Sequence, residues 1–380
     1  MYRQTKCYIP FLLLSLSLVS NVEAEENVLV NSVKNDTTRV ENLVQEKQCE
    51  ESAAKKFVSD ISDRIKLHGY AQAGYTYQKN SEQEVNSFDI KRTLLWANAQ
   101  INDRWSFLFM HDFNSQVQEF YTDFRITNND ALSIRLGQFK NGYSLENPMS
   151  PTSMETIDVY SEGVTYLSGC GSDPLFGVQY GRDLGMSLFG TVCEKKLRYE
   201  LQVMNGQGIN RKDKNKSKDI IGRLEWRPVE YLNIVTTGQL GRGHSVAKEN
   251  SVYVPDVIFD QDYDRNRFSV GVDYRSKSFN IHSEYLLGKD DKVTSSGVYV
   301  TGSVALIPST LDLIGSYDYF NFNQDLDMDQ HKGVFGIQWW YYKKCRLQLQ
   351  YVYKNAVVTP SGFVHDDNHA IMCQVQVRFN

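Results

Sequence analysis

Arginine is the residue whose placement in this 380-residue chain most invites a chemical reading. Arg92, Arg125, Arg135, Arg198 and Arg223 each fall on the polar side of a short segment in which apolar and polar residues alternate. Arg227, Arg267, Arg275, Arg346 and Arg378 obey the same rule, as do the carboxylates Asp112, Glu119, Asp123, Glu200, Glu225, Asp273, Glu284 and Asp318. Every second side chain of a strand shares a face, so these groups would form one charged wall. Its chemistry would be electrostatic: guanidinium groups raise the local concentration of anions, and neighbouring carboxylates offset them. Pairing within the wall is the plainer role for more than half of the set. A second group, Lys140, Glu146, Glu155, Asp158, Glu162 and Arg182, lies in or beside a stretch with no alternation at all, Gly137 to Asp183.

The usual signatures of catalysis are missing. Gly238-Gln-Leu-Gly241-Arg-Gly243 and Gly206-Gln-Gly208 are glycine-rich, but neither opens a helix after a strand as a dinucleotide site requires. There is no G-x-S-x-G and no H-E-x-x-H. His365 and His369 are spaced i, i+4, a possible metal pair, yet they fall in an expected loop and strand end. Asp260-x-Asp262-x-Asp264 and Asp325-x-Asp327-x-Asp329 begin like calcium loops but lack the sixth-position Gly and twelfth-position Glu. The basic run Arg211 to Lys218 reads as a solvated loop, with the gathering of anions as the other reading. The cysteines have no repeated spacing, no C-x-x-C and no partner histidines. No catalytic residue, cofactor or metal site is therefore expected, and no enzyme activity. A net charge of −5 gives no basic excess for nucleic acid.

The elements that must position these charges are strands. From Ile65 the period is two: Ile65, Leu67, Gly69, Ala71, Ala73, Tyr75 and Tyr77 alternate with mostly polar residues. Fifteen further segments follow in the same style, ending with His369–Asn380. Each is close to the ~9–11 residues of a membrane-crossing β-strand. Tight turns such as Asn102-Asp103-Arg104 and Lys343-Lys344 alternate with longer connections: Gln78–Ser87, Asn114–Gln118, Lys140–Arg182, Gly206–Asp219, Arg242–Asn266, Lys289–Ser296, Asn321–Lys332 and Asn355–Asn368. Short turns at one end and long loops at the other are the pattern of outer-membrane barrels. Aromatics reach 12%, enough for girdles at two interfaces. A solenoid would show a fixed repeat, and a sandwich would not need alternating connection lengths. The expected fold class is all-β: a transmembrane antiparallel β-barrel of about 16 strands. Its long third external loop, residues 140–182, would fold into the lumen, because a structureless insertion of that size is uncommon unless functional.

At the N-terminus Arg3 and Lys6 precede an apolar run from Tyr8 to Val19 and then Val22-Glu23-Ala24. That is the build of a cleavable signal, and twelve apolar residues fall short of the ~20 needed to span a bilayer. Three regions are expected: a signal at 1–24, a periplasmic leader at 25–64 with loosely helical spacing, and the barrel at 65–380. The location would be the outer membrane of a Gram-negative-type bacterium.

One part of the chain resembles a known family. Arg135-Leu-Gly-Gln-Phe-Lys140, then Tyr143-Ser144, Glu146-Asn-Pro-Met-Ser-Pro-Thr152 and Tyr160-Ser-Glu162 are followed by Gly171-Ser-Asp-Pro-Leu-Phe-Gly177 and Gly181-Arg-Asp-Leu-Gly-Met-Ser-Leu-Phe-Gly190. Together with Asn205-Gly206-Gln-Gly208-Ile-Asn210 they resemble the phosphate-selective porin O/P family of outer-membrane porins. The resemblance implies a sixteen-stranded barrel, usually trimeric, narrowed by its third loop and lined by a ladder of arginines guiding anions. Two departures stand out. Asn141-Gly142 replaces a frequent proline, and Glu146, Glu155, Asp158, Glu162 and Asp173 outnumber Lys140 and Arg182. Acidic residues reaching the narrowest point would offset the arginines. The functional expectation is passive, weakly selective diffusion of small hydrophilic solutes or inorganic anions through a homotrimer in outer-membrane lipid. The alternatives are a specific phosphate or anion porin, and a non-conducting surface or adhesion barrel plugged by its loop.

Overall fold

The computed structural model describes residues 64–173, 175, 177–247, 251–359 and 362–379. The expected signal and leader, Arg64 apart, lie outside the described residues. Sixteen strands form one closed antiparallel barrel. They are β1 (Ile65–Lys79), β2 (Glu84–Asn102), β3 (Trp105–Asp112), β4 (Val117–Arg125), β5 (Ser133–Lys140), β8 (Arg182–Val192), β9 (Leu197–Met204), β10 (Asp219–Val229), β11 (Leu232–His244), β12 (Asp262–Arg275), β13 (Phe279–Asp290), β14 (Val293–Ile307), β15 (Leu311–Asn321), β16 (Asp329–Tyr342), β17 (Cys345–Thr359) and β18 (Gly362–Phe379). The two-residue strands β6 (Ser172–Asp173) and β7 (Gly177–Val178) pair with each other between β5 and β8. The ends meet where β1 pairs with β18, Gly69 opposite Phe379 through Lys79 opposite His369.

The pattern of burial is the reverse of a water-soluble sheet. On β17 Arg346, Gln348 and Gln350 are buried, while Leu347, Leu349 and Tyr351 are exposed. On β10 Arg223 and Glu225 are buried and Leu224 and Trp226 exposed. An apolar outer face suits lipid, and a polar inner face is then satisfied from within. At the closing seam Gln72 Nε2 donates to Gln376 Oε1 at 2.9 Å, and between β18 and β17 Gln374 Nε2 donates to Gln348 Oε1 at 3.0 Å.

Three connections expected to be long are not, the first being that between β1 and β2, which pair out to Lys79 opposite Glu84. β13 and β14 are joined by Asp291 and Lys292 alone, and the pairing of β17 with β18 runs out to Thr359 opposite Gly362. The strands there continue past their alternating stretches, with Ala356 buried and Val358 and Phe363 packed on the buried apolar cluster, and the alternation that betrays a strand is lost. His365 and His369 accordingly sit on β18, the first edge-on to the Phe363 ring and the second tilted beside Tyr351. The wall is also uneven. β3, β4, β5 and β9 are 8–9 residues long, whereas β12 and β14 to β18 run from 11 to 18.

The segment between Lys140 and Arg182 crosses to side chains on the far wall. It holds a short helix, α1 (Glu162–Leu167), N-capped by Ser161, whose hydroxyl accepts from the Val164 N–H. α1 packs against β13, β14 and β15. Gly163 faces Leu286 and Phe320 so closely that a Cβ would stand 2.6 Å and 2.8 Å from them. Val164, Tyr166 and Leu167 join Leu286, Tyr299 and Phe320 in one buried apolar cluster.

Candidate functional site

The segment is pinned at intervals by inward-facing wall side chains. The Gly142 N–H donates to Gln202 of β9 at 2.8 Å, and the Leu145 N–H donates to Glu284 of β13 at 2.7 Å. The Ile157 N–H donates to Gln350 of β17 at 2.9 Å, and Gln348 and Gln350 return bonds to the Glu155 carbonyl at 2.8 Å and 2.7 Å. The Glu162 N–H donates to Asp318 of β15 at 2.6 Å. The first anchor is on the short strand β9; the others hold the segment against the long-strand side, and a space remains on the other.

That space is a cavity of about 400 Å³. Its floor is Lys140, Gly142, Pro148, Ser150 and Pro151, and its walls come from the short-strand side together with β1, β2 and β18. Six cationic side chains line it: Arg135, Lys140, Arg182, Arg198, Arg223 and Arg378. Only three carboxylates do so, Glu119, Glu200 and Glu225. Those three are paired: Arg182 with Glu119 at 2.9 Å, Arg223 with Glu225 at 2.7 Å, and Arg198 with Glu200 at 3.6 Å. Arg135 holds Asp123 in a two-pronged bond of 2.7 Å and 2.8 Å and lies 3.9 Å over the Tyr121 ring. Lys140 Nζ donates to the carbonyls of Asn147 and Met149 at 2.7 Å each, and Arg378 donates to the Thr152 hydroxyl. Neither forms an ion pair among the described residues.

Arg135 and Lys140 both line this cavity although five positions apart, which strict alternation forbids. Gly137 lies between them at φ +136°, with the Phe120 carbonyl 2.2 Å from where a Cβ would stand. Only glycine adopts that backbone freely, and the break turns Lys140 to the same space as Arg135.

Two smaller cavities share lining residues with the first. Toward the long connections, about 160 Å³ is lined by Lys91, Arg92, Asp112 and Arg182, with Tyr70, Leu94, Pro151 and Arg182 common to both. Toward the short turns, about 250 Å³ is lined by Arg104, Arg125, Asp123 and Asp130, with Arg198 common to both. Arg92 donates to Gln72 at 3.1 Å, and Arg125 pairs with Asp130 at 3.1 Å. Arginines thus recur from one end of the barrel to the other along a single side of the segment.

The four acidic residues singled out in the segment lie elsewhere. Glu146 and Glu155 are buried against His282 of β13, at 3.0 Å and 3.8 Å, with Arg275 3.5 Å from Glu155. Lys332 of β16 meets Asp158 at 3.3 Å and Glu162 at 3.0 Å, and Lys354 of β17 meets Glu162 at 2.7 Å. Burial alone would raise both carboxyls, but the two lysines outweigh it. Asp158 is held well below the usual carboxylate range and Glu162 is brought down to about 2. The sequence suggested an acidic edge facing the arginines. The structure pairs all four with the opposite wall, because their partners, His282, Lys332 and Lys354, belong to strands far along the chain. Arg378, Glu119, Glu200 and Glu225, which join the cationic cavity, were visible only as inward positions of their strands. His282 carried no other mark than alternation, and Lys332 fell in the expected connection Asn321–Lys332 rather than on the strand that holds it.

No family model matches this chain, and no curated protein sequence does. Solved structures with the same fold are found. OprB of Pseudomonas putida superimposes with a TM-score of 0.61 at 9% identity, covering 87% of this chain and 97% of that one. The anion-selective porin from Comamonas acidovorans gives 0.60 at 11%, covering 83% and 99%. The trimer form of in-vitro folded OmpT of Vibrio cholerae gives 0.55 at 14%, covering 83% and 100%. At such identities the likeness concerns the fold, which is that of outer-membrane porin barrels.

Proposed function

We propose that this chain is an outer-membrane porin through which small hydrophilic solutes diffuse passively, with anions preferred over cations. The observation that carries the reading is the cavity of about 400 Å³, lined by six cationic groups and three carboxylates. Charges at a narrow, poorly screened place govern passage more than those on a wide wall, where the Debye length is only ~8–10 Å at physiological salt. The excess is modest because most arginines are already paired, so the preference is partial. No covalent step is involved. Export through a signal at 1–24, a periplasmic leader at 25–64 and assembly as a homotrimer in outer-membrane lipid belong to the same reading. The trimer draws on the family resemblance and on the trimer form described for the Vibrio cholerae protein.

The test is single-channel recording in planar bilayers with a salt gradient. A reversal potential favouring chloride over potassium by a modest factor supports the reading. A cation-selective channel, or a folded barrel with no conductance, overturns it. A second reading, a phosphate-binding channel, is favoured by Arg92, Lys140 and Arg378, which have no carboxylate partner among the described residues. Block of the chloride current by low concentrations of phosphate would distinguish it from simple anion preference.

A further inference from the structure

The segment between β5 and β8 has a second cavity on its other face. It measures about 310 Å³ and lies between Asp158 and Glu162 on one side and β16, β17 and β18 on the other. Its charge differs from that of the arginine-lined path. Lys332 and Lys354 face Asp158 and Glu162, two of each sign. The lysines are direct cross-strand partners on β16 and β17, an arrangement that is unfavourable unless something compensates it. Glu162 does so by accepting from both.

Exposure separates the four. Lys332 and Glu162 form the closed inner pair, with side chains 5% and 15% exposed. Asp158 and Lys354 form the reachable pair, at 32% and 26%. The cavity therefore offers one carboxylate and one ammonium to its contents. Beside them lie Val352, Ala370 and Met372, part of a small apolar cluster with Ile157.

We propose that this cavity binds a small zwitterion, an α-amino acid with an apolar side chain. Its carboxylate accepts from Lys354, its ammonium donates to Asp158, and its side chain lies on Val352, Ala370 and Met372. A simple anion or cation entering here would lose hydration and meet no net opposite charge in return. A zwitterion offers a partner to each reachable group and leaves the balance of the site unchanged. The volume stands at the lower end of the ~300–1,000 Å³ of small-molecule sites, which suits a ligand of this size.

The test is isothermal titration of the full chain in detergent micelles at neutral pH with leucine, isocaproate and isopentylamine. The three share one apolar group, and each of the latter two lacks one charge of leucine. Leucine should bind, and each singly charged analogue at least tenfold more weakly. Asp158→Asn and Lys354→Gln should each weaken leucine tenfold or more, with heat-modifiable gel migration showing that the barrel is intact. Glu200→Gln, on the other face, should leave leucine binding unchanged. Absence of leucine binding up to the millimolar range, or isocaproate binding as tightly as leucine, overturns the proposal. Should a variant not fold, the three-ligand comparison on the unaltered chain still decides. Binding is read without any current, so its outcome is independent of the conductance test.

Discussion

The two faces of the segment between β5 and β8 make opposite use of charge. Facing the short strands, it offers a lysine, prolines and backbone to a space ringed by arginines. Facing the long strands, it offers Glu146, Glu155, Asp158 and Glu162, each met by a histidine, arginine or lysine of the wall. One face carries a surplus of positive charge, and on the other the charges balance by pairing. The difference teaches that the acidity of a loop says little about the field in a pore. What counts is which wall the carboxylates meet. A carboxylate consumed by a lysine on the far wall exerts almost no pull on an ion passing along the near one.

The most drastic way to break the comparison is to remove one party to it. Deleting Ser144–Asp173 should raise single-channel conductance at least twofold, because the floor of the cationic cavity goes with it. An unchanged conductance in a heat-modifiable barrel would mean that this segment does not limit the flow.

His282→Ala attacks the closed face alone. It leaves Glu146 and Glu155 buried without their imidazole, and losing one partner of a buried pair costs about 3–5 kcal/mol. The strands keep their hydrogen bonds, so the loss should fall on the segment. Faster proteolysis within residues 144–173 and a flickering current are expected, with gel migration of the barrel unaltered. A quiet, wild-type current would show that other anchors suffice.

Matched neutralisations sharpen the contrast. Glu200→Gln removes a negative charge from the open cavity and should move the reversal potential further toward anions. Arg135→Ala together with Arg125→Ala should move it toward cations by a modest factor. Glu162→Gln removes the same unit of charge from the closed face and should leave the potential where it was. Equal shifts from Glu200→Gln and Glu162→Gln would erase the distinction between the faces.

The smallest effect is in acid. Asp158 and Glu162 are both held below their ordinary values, Glu162 from 4.5 down to about 2. A depressed carboxyl contributes stability that is whole above its unfolded value and is lost as pH falls through the folded one. Docking of the segment against β16 and β17 should therefore be constant above about pH 4.5 and weaken toward pH 2. Hydrogen exchange of α1 amides across that range reads it directly. Loosening that began near neutrality would point to other groups.

The sequence by itself determined the wall. Alternation is a local property of a strand, so Arg223 and Glu225 could be turned inward and Leu224 and Trp226 outward from their positions alone. It also marked the bounds of the insertion, since Lys140 and Arg182 are where the two-residue period stops and resumes. It did not mark strand ends where the two-residue alternation lapses, which is why β17 and β18 run further than their pattern suggests. The allocation of charges between the two faces was decided only by the tertiary structure. Ser144 meets Glu284 across 140 positions of sequence and Ile157 meets Gln350 across 193. No periodicity reaches that far. Closure of the barrel sets which strands stand opposite the segment, and burial then forces each of its carboxylates toward whichever wall can supply a cation.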